Sequence, residues 1–339
     1  MKLKCKICGF KCHDLEEHVV KVHGLTASVY RTRYDHWVDG SGRLISDWLM
    51  RQRGLSGTTT ATTTQDEQVV NPDLFLPDLK LEKQLVKCIE TDYVMMVGPT
   101  GCGKTSEAWR VAERAGVKLN YTKFHDEMMV SDLMGHPIIT PEKMIGFSYG
   151  ILPRSMNPKM CGVTEYEESW LLVDEIDAAP PRVLFKLFGA LEDHHSVYID
   201  ETGELVTGTP KFRIIATANT KGDGDESGRF IRQLFDEAFV DRWTILECNY
   251  TPHEKRLLIE KVGMSESVAL KMMEVVNLIR TAVNNEEIRM GISTRRLLDW
   301  GRKILTFSIK EGTKMSLIHR LNKEDATTYN GILQRVMNI

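Results

Sequence analysis

The segment Gly98-Pro99-Thr100-Gly101-Cys102-Gly103-Lys104-Thr105 follows directly on the apolar run Tyr93-Val94-Met95-Met96-Val97. A strand that empties into a glycine-rich loop and then opens a helix restricts the chain to a small group of α/β folds. Glycines let the backbone turn tightly and aim successive N–H groups inward, which makes a concave nest for phosphate oxygens. Lys104 is placed to reach β- and γ-phosphates, and the Thr105 hydroxyl to sit on Mg²⁺. Residues 106–115 read as a helix whose N-terminal dipole faces the same anion. The spacing therefore predicts a nucleotide site built from Gly98 to Thr105.

The rest of the chain agrees with that class. Apolar runs at 93–97, 117–122, 170–174, 212–216 and 243–247 alternate with helical patterns, as in an α/β fold with a parallel sheet. After Tyr250 the pattern is wholly helical, with Leu257, Leu258 and Val262 and then Leu270, Met273, Val276 and Ile279 at core positions. Residues 57–65 are Thr-rich, of low complexity, and have nothing to bury, so they read as a linker. The expected organisation is a small Cys- and His-rich unit at 1–37, a flexible linker at 38–70, an α/β subdomain at 71–248 and a helical subdomain at 249–339.

Composition excludes some classes. With 42% hydrophobic and 27% charged residues, the 339-residue chain is ordinary for a globular protein. No apolar run approaches ~18–20 residues, and the N-terminus lacks a signal-peptide core, so a cytoplasmic location is expected. Seven cysteines, an odd number, argue against a disulfide framework. The net charge of −3 argues against a generally basic nucleic-acid coat, although residues 1–36 carry seven Lys/Arg against four Asp/Glu.

The run Trp170-Leu171-Leu172-Val173 delivers Asp174-Glu175-Ile176-Asp177. Two acids at the carboxyl end of a strand suit a Mg²⁺-dependent hydrolase: Asp174 to hold Mg²⁺ through water, Glu175 to orient and deprotonate the attacking water. An acidic strand-to-helix turn with Glu175 merely solvated is the alternative. The run ending in Ala216-Thr217-Ala218 delivers Asn219, whose amide suits an attacking water or γ-phosphate equally with a turn.

These residues carry a resemblance. The P-loop at 98–105, Leu171 to Glu175, Ala216 to Asn219, Val240 to Trp243 and Gly291 to Arg296, in that order, resemble AAA+ ATPases of the MoxR branch. Residues 212–243 look particularly like the small ATPase subunits of aerobic cobaltochelatases. The resemblance covers residues 71–310. It implies a five-stranded parallel sheet, a helical lid, and a homo-oligomeric ring, usually of six subunits, with ATP between neighbours. It further implies that Asn219 is the sensor 1 residue, that Arg242 is the arginine finger acting on a neighbour's γ-phosphate, and that Arg295 is sensor 2 on the lid. Arg229 and Arg232 compete for the trans role. Segments 133–153 and 197–206 resemble insertions of this branch, and the second reads as a β-hairpin on its alternation and Glu-Thr-Gly turn alone.

Two motifs are weighed against this. Asn322-Lys323-Glu324-Asp325 imitates a guanine-reading sequence but follows a helical segment, so ATP is expected over GTP. Asp223-Gly224-Asp225 starts like a calcium loop, but Leu234 stands where a bidentate Glu is required.

At the N-terminus, Cys5-x2-Cys8-x9-His18-x4-His23 has the ligand spacing of a tetrahedral structural Zn²⁺. Cys12 and His13 are spare ligands. A segment this small has no core of its own, so metal binding supplies its folding energy. The string resembles a Ros/MucR-type zinc finger, with Cys12 where that family has an aromatic residue. Lys6, Lys11, Lys21, Arg31 and Arg33 suit phosphate contacts, while Glu16 and Glu17 argue against major-groove readout. Docking to protein and to nucleic acid both remain open. The expected activity is ATP-driven remodelling of a partner protein, a chelatase role requiring a partner with a von Willebrand A-type domain. The alternatives are a nucleic-acid-binding ATPase recruited to DNA through its finger and a non-hydrolysing nucleotide switch.

Overall fold

The computed structural model describes residues 3–4, 11–12, 78–139, 144–220 and 235–339. They fall in two units, Met1–Val69 and Val70–Ile339. In the first, β1 (Leu3–Lys4) pairs antiparallel with β2 (Lys11–Cys12). Cys5, Cys8, His18 and His23 lie outside the described residues. Among the described residues no group of three or more His, Cys, Asp or Glu could hold a metal, and no helix is long and apolar enough to cross a membrane.

The second unit is built on a five-stranded sheet of β3 (Val94–Val97), β4 (Lys118–Lys123), β7 (Ser169–Asp174), β10 (Arg213–Ala218) and β11 (Thr244–Glu247). The spatial order is β11-β3-β10-β7-β4, and every pairing is parallel. All five expected runs are strands, with ends shifted by one or two residues. The central strands are apolar throughout because both faces are covered. Their side chains alternate between two cores. Met95, Val97, Leu171, Val173, Ile214 and Ala216 face one, while Val94, Met96, Trp170, Leu172 and Ile215 face the other. Against the second face lie α1 (Leu79–Ile89) and α2 (Lys104–Ala115), contributing Leu85, Ile89, Ala108 and Val111. Against the first lie α3 (Val130–Met134), α4 (Ile151–Met156) and α5 (Pro181–Leu191).

Two hairpins interrupt this layer. β5 (Gly135–Ile139) pairs with β6 (Ile145–Tyr149), and β8 (Ser196–Ile199) with β9 (Glu204–Thr207). They occupy the two expected insertions, and the second turns at Gly203. Tyr149 on one hairpin donates its hydroxyl to Glu204 on the other at 2.6 Å.

Past α6 (Glu237–Val240) and β11, the chain is helical. It runs through α7 (Glu254–Arg256), a π-helical turn Leu257–Val262, α8 (Glu266–Asn284), α9 (Thr294–Thr306), α10 (Ile309–Ser316) and α11 (Lys323–Met337). These bury their own core around Trp300, Tyr329 and Leu333. Of the stripe expected on α8, Val276 and Ile279 are buried and Met273 is partly buried. Leu270 is exposed, and Ala269, Met272, Val275, Val276 and Ile279 form the buried face. The guanine-type motif does capping work: the Asn322 side chain accepts the Asp325 N–H at 2.7 Å and starts α11. The calcium-like loop at 223–228, with Leu234, lies outside the described residues.

Candidate active site

The carboxyl ends of β3, β7 and β10 converge, as open α/β sheets require of a ligand site. The loop leaving β3 is tightly confined at its first residue. A Cβ on Gly98 would lie 2.0 Å from the carbonyl oxygen of Cys248, where β11 ends, so only glycine lets these strands sit side by side. Gly101 and Gly103 take φ of 73° and 107°, and Gly103 caps α2, whose first residue is Lys104. The loop thus presents a backbone nest at a helix N-terminus. Pro99 and Thr100 form its outer lip, and Cys102 is buried beneath it. Burial pushes the Cys102 thiol up and the Lys104 ammonium opposes this, so it stays protonated. The Cys248 thiol is pushed up to about 12, chiefly by burial.

Lys104 is itself buried, and its ammonium donates to Gly98 O at 2.7 Å, Pro99 O at 3.2 Å and Asn219 Oδ1 at 3.1 Å. Asn219 Oδ1 also accepts the Thr100 hydroxyl at 3.2 Å. The predicted sensor amide therefore stands within hydrogen-bonding reach of the P-loop lysine. Thr105 donates to Asp174 Oδ1 at 3.0 Å, so the hydroxyl and carboxylate expected to hold Mg²⁺ are side by side. Both are oxygen donors, the set that Mg²⁺ takes, and the residues present fit a P-loop nucleotide with its metal.

Glu175, the residue after β7, takes a left-handed φ of 53°. A non-glycine residue there is strained by on the order of 1–3 kcal/mol, and such strain collects at functional sites. Its N–H is anchored on Thr217 Oγ1 at 3.1 Å, and its carboxylate pairs with Lys123 at 2.9 Å while remaining about a third exposed.

Four residues that sequence reasoning gave no role support this constellation. Thr217 donates its hydroxyl to Asp174 Oδ1 while accepting from Glu175, which links the two acids. Tyr121 donates to Asp174 Oδ2 at 3.1 Å, and burial, reinforced by the neighbouring carboxylate, keeps its phenol protonated well above its ordinary range. Lys123 pairs with Glu175 from the end of β4. Asp177, fully buried, accepts the N–H groups of Asn219 at 3.0 Å and Thr220 at 3.2 Å, which fixes the sensor loop. Asp177 stood in the acidic string; the other three became visible only once β4, β7 and β10 were adjacent.

The two arginines separate spatially. Arg295, near the start of α9, is exposed, and its N–H donates to Gly101 O at 3.4 Å, which brings the helical region onto the P-loop. Its charge acts on Tyr121 beside Asp174. Arg296 instead pairs with Asp299 at 3.1 Å on its own helix. Arg242 lies at the far end of the sheet. Thr244 aligns with Val94 and Glu247 with Val97, so Arg242 flanks the amino end of β11 while the P-loop leaves the carboxyl end of β3. Its guanidinium sits 4.7 Å over the Phe188 ring and pairs with Glu192 at 3.2 Å. Arg229 and Arg232 lie outside the described residues.

Comparison with known proteins agrees with this geometry. Residues 93–242 match the AAA domain of the dynein-related subfamily, and residues 254–338 match the CbbQ/NirQ/NorQ C-terminal domain. The chain is 28% identical over 254 residues to the aerobic cobaltochelatase subunit CobS of Sinorhizobium sp, covering 70% of this chain and 73% of that one. It is 23% identical to the denitrification regulatory protein NirQ of Pseudomonas aeruginosa, covering 69% of this chain and 85% of that one. To protein NorQ of Paracoccus denitrificans it is 24% identical, covering 60% and 69%. ATP and Mg²⁺ are the ligands that such a domain implies. With an AAA domain matched over residues 93–242, and a P-loop and paired acids brought together at one end of the sheet, the protein is an AAA+ ATP hydrolase similar to those of the MoxR type.

Proposed function

We propose that this ATP hydrolase assembles into a homo-oligomeric ring, of six subunits, in the cytoplasm and converts ATP binding and hydrolysis into remodelling of a partner protein. The observation that carries the reading is the contact of Arg295 and Ser293, in the helical region, with Gly101 of the P-loop. Nucleotide held at that junction bears on both subdomains, so its cleavage changes their relation. In this reading Glu175 activates water, Asn219 orients it, and Arg295 answers γ-phosphate charge within the chain. Arg242 supplies a transition-state cation to a neighbour. Thr105 and Asp174 would hold Mg²⁺, which when bound would neutralise developing phosphate charge.

The kind of partner is suggested by the relatives, one of them named as a subunit of a cobaltochelatase. We assign the partner a von Willebrand A-type domain. The test is affinity purification of full-length Glu175→Gln protein loaded with ATP. It is expected to retain a partner protein with such a domain, released on ADP exchange. Recovery of nucleic acid instead, with salt-dependent binding that residues 1–65 are required for, would replace this reading by DNA recruitment.

The N-terminal unit is proposed to hold one Zn²⁺ through Cys5, Cys8, His18 and His23. The paired strands β1 and β2 flank in the sequence the segment that holds Cys5 and Cys8. The full chain is expected to contain one zinc. The Cys5→Ser/Cys8→Ser variant should contain none, by metal analysis. Because Met1–Val69 is a separate unit, deletion of residues 1–65 should leave basal ATP hydrolysis intact. Unchanged zinc in the double variant removes the assignment.

A further inference from the structure

The helical region meets the P-loop at Ser293 and Arg295, in the segment 291–295. A Cβ on Gly101 would lie 2.9 Å from both Cβ and Oγ of Ser293, and Arg295 N–H reaches Gly101 O at 3.4 Å. A contact this close fixes the segment only if something holds it from behind. That support is a half-buried guanidinium, its side chain 18% exposed.

Arg280 on α8 forks onto Glu254, with Nη1 donating to Oε2 at 2.7 Å and Nη2 to Oε1 at 2.8 Å. Glu254 is 2% exposed. The remaining edge of the fork is also used, since Nε donates to Ile292 O at 3.0 Å, inside the segment that abuts the P-loop. Glu254 closes the circuit by accepting the Thr294 hydroxyl at 2.5 Å, one residue before Arg295. The flat face of the guanidinium stacks 3.7 Å from the Tyr250 ring, where the chain has just left β11. One side chain therefore touches the exit of the sheet, the first turn of the helical region and the segment lying on the P-loop. Only a planar fork can do all three, because an ammonium offers neither two parallel donors nor a stacking face.

We propose that Arg280 and Glu254 are positioning residues for ATP hydrolysis: they clamp residues 291–295 against Gly101 and so set where Arg295 stands relative to the P-loop. Neither touches nucleotide. The clamp through Ser293 and Gly101 rests on contacts within this chain, whereas its routing through Arg295 rests on the sensor role proposed above. A purely structural ion pair would lower stability when broken and leave the affinity of the surviving folded protein for ATP unchanged. A positioning clamp instead moves KM.

The test uses full-length Arg280→Lys and the paired Arg280→Met/Glu254→Met variant, in which no unpaired charge is left buried and the volume is retained. Thermal melts set an assay temperature at which each is fully folded. The expected result is a rise in KM for ATP of roughly tenfold in both, with a smaller fall in kcat. An unchanged KM in the folded paired variant overturns the clamp. Arg295→Ala is measured in parallel, alone and combined with the paired change. If the clamp acts through Arg295, the combined variant should add less than about twofold to the KM of Arg295→Ala, as coupled sites do. A full independent tenfold increment would overturn that routing. Normal kinetics in Arg295→Ala beside a raised KM in the paired variant would remove the sensor role of Arg295 and leave the clamp standing on Ser293 and Gly101.

Discussion

Lys104→Ala is expected to abolish ATP binding, whereas Glu175→Gln is expected to bind ATP and fail to cleave it. The two losses have different physical origins. Lys104 is a buried ammonium held at the base of the loop by two backbone carbonyls and by Asn219. Its removal deletes the cation facing the phosphates and also the tie between the P-loop and Asn219. Charge-assisted bonds of this kind contribute about 1.5–3 kcal/mol each, so the affinity should fall roughly a hundredfold or more. Glu175→Gln keeps shape and an oxygen for Lys123, and the strained backbone is anchored through its own N–H on Thr217, which the substitution does not touch. Only basicity disappears. General-base catalysis is worth about 10²–10⁴ in rate, and hydrolysis should drop by that factor while ATP affinity stays within about threefold. Binding by calorimetry and turnover by phosphate release separate the two. Equal loss of ATP binding in both variants would withdraw the role given to Glu175.

The P-loop and the five strands were legible because each is a local signal. Runs such as Val94 to Val97 are apolar at every position, which marks a strand covered on both faces, and the glycines announce where it must turn. Strand order was not legible from those runs. Nothing local in the residues of β10 says that they lie between β3 and β7, and that placement is seen only in the folded sheet. The supporting residues were hidden for the same reason. Tyr121 read as an ordinary strand position, and Lys123 lay just past the expected run, until β4 is paired with β7, which brings them to Asp174 and Glu175. Thr217 read only as part of the run that delivers Asn219, although its hydroxyl joins the two acids. The buried face of α8 was legible only in part, because a broadly apolar helix carries more than one candidate stripe. Leu270 and Met272 are two residues apart, and only packing against the other helices decides which is buried. The clamp of Arg280 was invisible in sequence, since Glu254 lies 26 residues away and neither has a motif.

Arg242→Ala is expected to bind ATP normally and to hydrolyse it at a small fraction of the normal rate. The sheet itself supports a role in trans. β11 runs parallel to β3 over four paired residues, at about 3.3 Å per residue, which puts Arg242 more than about 13 Å of strand away from the loop that follows Val97. A side chain stacked on Phe188 at the amino end of that strand is placed away from its own P-loop, which favours a role in trans. Its pairing with Glu192 is no obstacle to engaging a neighbour, because the glutamate is about half exposed and pairs of that kind are worth ~0–1 kcal/mol. Loss of a transition-state cation of this type costs on the order of 10³ or more in rate. Lys104→Ala fails in the opposite way, unable to bind ATP but carrying an intact Arg242. Mixing the two inactive proteins should therefore restore activity, at interfaces where the Lys104→Ala subunit offers its arginine to an ATP-loaded Arg242→Ala neighbour. Were Arg242 to act within its own chain, every subunit of the mixture would lack one essential group and hydrolysis would stay at background. Silence in a mixture shown by native mass spectrometry to have co-assembled would eliminate the trans finger, and with it the main reason for placing ATP between subunits.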